Sequence, residues 1–216
     1  MTSIDYEPDI ALTIEGYETV SNAMKALGPS TDLSCDSSYG IPLLVPLSSL
    51  AGWMDKHSIQ SLLENFKSDD RKSDVFLRGQ ATDLDAHSVS KTYLFIDLYS
   101  EPRIVGFFTV GFGHICIPSY EEVPDELTSA LNVSPSTGYA PTYVISHLCI
   151  SSDSDLPPNV VLKAALSIIN QSRIRVGCRT IRLDCQDSKM QFYEAMGFTF
   201  IRKNYGKDIN HMLMLA

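Results

Sequence analysis

No apolar run in this 216-residue chain approaches the roughly 20 residues that a helix needs to cross a bilayer. The opening stretch, MTSIDYEPDI, lacks a basic segment followed by an apolar one. No secretory leader is therefore expected, and a cytoplasmic location is the default. Cysteine is sparse and poorly spaced for a cluster: Cys35, Cys116, Cys149, Cys178 and Cys185 include no Cys-x-x-Cys pair. No metal site is expected, and these residues read as small buried apolar groups in a reducing compartment. Positive charge is also short, with 17 Lys and Arg against 26 Asp and Glu, a formal net charge of −9. A chain this acidic has no general attraction for phosphate backbones or anionic membranes, which counts against a nucleic-acid partner. What is present is ordinary for a globular protein: 44% of residues are hydrophobic, enough for a substantial core.

The acidity is uneven. Residues 1–38 carry Asp5, Glu7, Asp9, Glu15, Glu18, Asp32 and Asp36 against a single base, Lys25, and so hold six of the nine net negative charges. Ile10 to Leu27 has a faint helical pattern that Gly28-Pro29 would end, and Pro29 to Gly40 is rich in Ser, Asp and Thr. Residues 1–40 therefore read as an acidic extension and linker, either partly disordered or loosely docked on the rest or on a partner, and residues 41–216 as the folded domain.

IPLLVPL, from Ile41, reads as an edge strand or extended lead-in because it contains proline. Ile59, Leu62, Leu63 and Phe66 mark a helix with one apolar face. SDDRKSD, from Ser68, reads as a charged loop, and Val75 to His87 as a second helix. KTYLFIDLY, from Lys91, and IVGFFTVGFGHICI, from Ile104, form a hairpin about Glu101-Pro102-Arg103. Pro118 to Pro141 is a long polar connection. TYVISHLCI, from Thr142, is a strand. After the loop SSDSDLPP, Asn159 is expected to cap a helix with Val160, Leu162, Ala165, Leu166 and Ile169 on its apolar side. The sum is an α/β domain with helices on both faces of a mixed sheet.

Thr180 to Phe200, TIRLDCQDSKMQFYEAMGFTF, is the densest stretch. Ile181, Leu183 and Cys185 alternate with polar residues as in a strand. Asp187 and Ser188 are N-cap types. Met190, Phe192, Tyr193 and Met196 follow at helical spacing, Gly197 stops the helix, and a strand begins at Phe198. A last strand is expected in NHMLMLA. By spacing alone, Tyr193 is either a core aromatic with its hydroxyl at the surface or a functional acid.

FYEAMGF resembles the C-terminal half of the GNAT superfamily of acyl-CoA-dependent N-acyltransferases, in which a Tyr-x-x-x-Gly-Phe segment ends the helix after the fifth strand. Tyr193, Gly197 and Phe198 match it. The segment FLRGQATDLDAHSVSKTYLFIDLYSEPRIVGFFTV is similar to a branch of small bacterial acetyltransferases, some of them paired with antitoxins. The resemblance implies a GNAT-like, mostly antiparallel central sheet. It also implies acetyl-CoA as co-substrate and a small-molecule or protein amine as acceptor, attacked without a covalent enzyme intermediate. Tyr193 would then protonate the departing thiolate. His147 and Asp184, one on the fourth strand and one on the fifth, are candidates for the base; each also has a bland reading, as a core histidine and a solvated strand acid.

In this family the pantetheine arm lies along the fourth strand, here Leu148, Cys149 and Ile150, and the pyrophosphate at the start of the following helix, here Asn159, Val160 and Val161. The usual glycine-rich phosphate motif is absent, with Asp153, Leu156 and Pro158 at its positions. Arg173, Arg175, Arg179 and Arg182 are either a solvated cluster or a site for the CoA phosphates. The alternatives to an acetyltransferase are a scaffold of this fold that has lost catalysis and an antitoxin-paired toxin acting on aminoacyl-tRNA. A homodimer or a protein partner held by the extension also fits.

Overall fold

The computed structural model describes residues 42–99, 101–116, 131, 133–134, 137–204 and 206–215. The acidic extension with its expected helix, and most of the Pro118–Pro141 connection, lie outside the described residues. Seven strands form one sheet in the order β1-β2-β3-β4-β5-β7-β6. They are β1 (Leu43–Pro46), β2 (Ser90–Asp97), β3 (Arg103–Cys116), β4 (Tyr139–Ile150), β5 (Thr180–Cys185), β6 (Thr199–Asn204) and β7 (Ile209–Leu215). Every pairing is antiparallel except β4 with β5. That parallel pair is joined through helix α4 (Pro158–Val176), the crossover such a connection requires.

The alternation along β2 shows how the sheet is covered. Leu94 and Ile96 enter one core with Leu62, Leu63, Phe66, Phe76 and Leu77, which come from α1 (Lys56–Asn65), α2 (Arg71–Gly79) and the turn between them. Phe95 enters the other core with Val161, Leu162, Ala165 and Ile169 of α4. Helices thus cover both faces, because successive strand residues point in opposite directions. Helix α5 (Asp187–Ala195) packs beside β6 and β7. Its end is set by Gly197, whose φ of +91° an L side chain rarely adopts.

Several local readings are corrected. The expected helix over Val75–His87 is two helices, α2 and α3 (Ala81–Ala86), and α2 already begins at Arg71, inside the stretch read as a loop. Asp70 starts it, since its carboxylate accepts from the Lys72 amide at 3.0 Å. Asn159 is not a cap: Pro157 holds that position and Pro158 the first helical one, so Asn159 lies inside α4. Helix α5 is capped by Gln186, with Asp187 and Ser188 already helical.

One buried carboxylate ties α3 to the sheet. Asp85, 1% exposed, accepts from Lys91 Nζ at 2.9 Å and from the Thr92 amide at 3.0 Å. Asp85→Ala leaves the Thr92 N–H unsatisfied in the core. The expected loss is about 2 kcal/mol, or a fall of about 5 °C in Tm, read by thermal denaturation.

Candidate active site

The parallel seam opens partway along. β4 and β5 pair only at Tyr143 with Ile181, Val144 with Arg182 and Ile145 with Leu183. Beyond Ile145, β4 continues to Ile150 paired with β3 alone. A bulge marks the change: Thr109 pairs with His147 and Val110 with Ile145, which leaves Ser146 as the extra residue. The Ser146–Ile150 edge, which includes Leu148, Cys149 and Ile150, is thereby left without a strand partner on the β5 side. An unpaired strand edge of this kind accepts an extended, amide-bearing chain.

Tyr193 is delivered to this region from α5. Its ring belongs to the core, 7% exposed and in edge contact with Phe192 and Phe198 at 5.0 and 6.0 Å. Its hydroxyl bonds to no described residue. Burial first, then the neighbouring thiols of Cys185 and Cys149, push the phenol up to about 12. Those two thiols belong to β5 and β4. The ring is thus a core group, and the hydroxyl has no partner among the described residues.

His147 sits on β4 just past the last β4–β5 pair, half-buried. Its ring stacks on Phe76 of α2, with centroids 3.8 Å apart and an interplanar angle of 16°. Nδ1 lies 3.2 Å from Ser73 Oγ, and Ser73 Oγ donates to Asp70 Oδ2 at 2.7 Å. Burial lowers the ring below its ordinary 6.5, and the charge of Asp70 opposes this. Cys149, two residues on and on the same face, donates to Ser68 Oγ at 3.0 Å. Burial raises its thiol, so it is a poor nucleophile.

Asp184 is placed differently. Arg182 Nε and Nη2 bond its two oxygens at 3.1 and 3.0 Å, and His211 Nδ1 lies 2.7 Å from Oδ1. Burial raises its pKa, but the bonds from Arg182 and His211 outweigh that and hold it low. A carboxylate occupied in this way is a weak proton acceptor.

The start of α4 is a meagre anion site. Pro157 and Pro158 have no N–H, and the Val160 amide is bonded to Pro157 O at 3.0 Å. Val161 is fully buried. Leu156 fills space that a glycine would leave open: its Cδ2 lies 3.0 Å from where a Cβ on Gly106 would be. Asp153 is neutralised by Arg103 at 3.1 Å. Arg173 and Arg175 are in the last turn of the 19-residue α4, about 25 Å from its start, so they cannot serve a phosphate held there. Arg182 is committed to Asp184 and to the His114 carbonyl.

Ser68, Asp70 and Ser73 were missed when SDDRKSD was read as loop. The available sign was an N-cap residue type, Asp70, placed before the apolar pair Phe76 and Leu77.

No family profile and no curated protein matches the sequence. Solved structures do match. AtaT complexed with acetyl-methionyl-tRNAfMet is 13% identical, with a TM-score of 0.61, over 78% of this chain and 92% of that one. AtaTR bound with AcCoA is 14% identical, with a TM-score of 0.60, over 81% and 94%. A tyrosine-to-phenylalanine mutant of the toxin AtaT, bound to the C-terminus of the antitoxin AtaR and acetyl-CoA, is 12% identical, with a TM-score of 0.53, over 71% and 84%. The mixed, mostly antiparallel, GNAT-like sheet with flanking helices is thus the fold that this chain shares with these structures.

Proposed function

We propose that this protein is an N-acyltransferase that moves the acetyl group of acetyl-CoA to a primary amine by direct attack. The observation that carries this reading is the end of β4–β5 pairing after Ile145, which leaves the edge that carries His147 open, together with Tyr193, which packs in one core with Cys185 at the end of β5 and has a hydroxyl without a partner among the described residues. The Ser146–Ile150 edge would hold the pantetheine amides as an added strand. His147 takes a proton from the acceptor ammonium, and the free amine attacks the thioester carbon. As the tetrahedral intermediate collapses, the C–S bond breaks, Tyr193 Oη gives its proton to the departing sulfur, and the surplus proton of the acylated nitrogen is lost to restore the phenol, which leaves a neutral amide and free CoA thiol. A phenol held near 12 stays protonated across the working range, as a donor must.

The strand edge fits the substrate better than the phosphate end does, since Asn159, Val160 and Val161 sit behind two prolines. Calorimetric titration with acetyl-CoA and with CoA tests this. Micromolar to sub-millimolar binding is expected; no heat at millimolar ligand would overturn the enzyme reading and favour a binding scaffold of the same fold. The complex of AtaT with acetyl-methionyl-tRNAfMet makes methionyl-tRNA the first acceptor to try. The net charge of −9 is against a wide nucleic-acid surface and in favour of a smaller amine. The antitoxin bound to AtaT supports a protein partner here, and the acidic extension is the segment we assign to it.

A further inference from the structure

We propose that Ser73 and Asp70, at the start of α2, are positioning residues that hold His147 in the tautomer with its proton on Nδ1. This leaves the Nε2 lone pair as the one free to act. Ser73 is 3% exposed, and its hydroxyl has one proton to give. That proton goes to Asp70 Oδ2, which lies 2.7 Å away and cannot donate when ionised. Ser73 Oγ therefore meets His147 as an acceptor, and Nδ1, at 3.2 Å, must carry hydrogen. Neutral imidazole in water prefers the other tautomer, with the proton on Nε2, so the arrangement reverses the intrinsic bias.

The carboxylate at the end of the chain is kept charged. Burial raises the Asp70 pKa, but bonds from the Ser73 hydroxyl and the Lys72 amide outweigh it, with Lys189 of α5 adding to the lowering. Asp70 also caps α2, where the helix dipole favours a negative group. Phe76, one turn on from Ser73, stacks on the ring. One face of α2 thus fixes the ring's plane and its hydrogen together. The group order is that of a carboxylate, a hydroxyl bridge and an imidazole.

The positioning role in turnover rests on His147 being the base; the tautomer does not. Long-range proton–nitrogen correlation spectra of the uniformly nitrogen-15-labelled full chain at pH 8 read the tautomer directly, without substrate. The wild type should show Nδ1–H at His147, and Ser73→Ala should shift the ring substantially to Nε2–H. A wild-type ring already protonated on Nε2, or a Ser73→Ala spectrum unchanged from wild type, overturns the proposal.

Asp70→Asn is the second variant, because asparagine keeps the cap and an oxygen for Ser73 while removing the charge. The titratable groups about the ring are Asp70 and Asp74 of α2, Cys149 of β4, and Lys189 and Tyr193 of α5. Asp70 is linked to the ring through the Ser73 hydroxyl, which also lies beside the Cys149 thiol. The pKa of His147 should fall in Asp70→Asn; an unmoved or raised value counts against the relay. Turnover, measured as CoA release from acetyl-CoA with methionyl-tRNA, separates the two ideas. A changed tautomer with kcat reduced at least about tenfold supports both. A changed tautomer with unchanged kcat keeps the positioning and removes His147 from catalysis.

Discussion

Tyr193→Phe is expected to lower kcat about a hundredfold while leaving acetyl-CoA affinity within about twofold. The substitution removes one oxygen and little else. The ring's packing against Phe192, Phe198 and the α4-side core is retained, and the hydroxyl has no partner among the described residues to leave unsatisfied. Stability should therefore hardly change. A loss confined to kcat means the proton is delivered in the transition state and not in the ground-state complex. The check is steady-state kinetics beside calorimetry on the same preparation. An unchanged kcat would return Tyr193 to a purely structural role, and a large loss of affinity would make it a binding residue instead.

His147→Gln should also reduce kcat about a hundredfold, and with it should disappear the acid limb of the pH–rate profile. The sign follows from the ring's surroundings. A base works in its neutral form, so activity falls as pH drops through the pKa of His147. Burial moves that pKa below the ordinary 6.5. The wild-type limb should accordingly lie under 6.5, with a plateau above it. Despite burial, hydrogen bonds hold Asp70 below the ordinary carboxylate range, and burial pushes the Cys149 thiol up, Cys185 to about 11 and Tyr193 to about 12, so these four move away from that window. A profile unaltered in the variant would transfer the base role to another group or to the acceptor's own ionisation.

The neighbouring structures leave most of the chemistry to be argued from this chain itself, since identities of 12–14% carry the fold and no residue roles. Residues that stand where a glycine-rich loop is usual have found other partners: Asp153 with Arg103, Leu156 against Gly106. That mutual fit describes a loop adapted to its own packing. The co-substrate would then depend more on the strand edge and less on the helix start than is common in this fold.

Much of this was legible beforehand. Alternation at Ile181, Leu183 and Cys185 is enough to specify a strand, because side chains on a pleated strand must alternate faces. The helical spacing through Tyr193 and the stop at Gly197 are equally local, resting on side-chain period and on one residue's tolerance of positive φ. The element order and the mixed sheet followed from these. Contacts across the sheet did not. That Ser73 meets His147 over a separation of 74 residues, that Asp184 is captured by His211, and that β4 parts from β5 after Ile145 are products of register and bulge. Periodicity shows which face a residue takes; only the assembled sheet shows who faces it, because distances between distant segments are set by how their elements pack and not by local sequence.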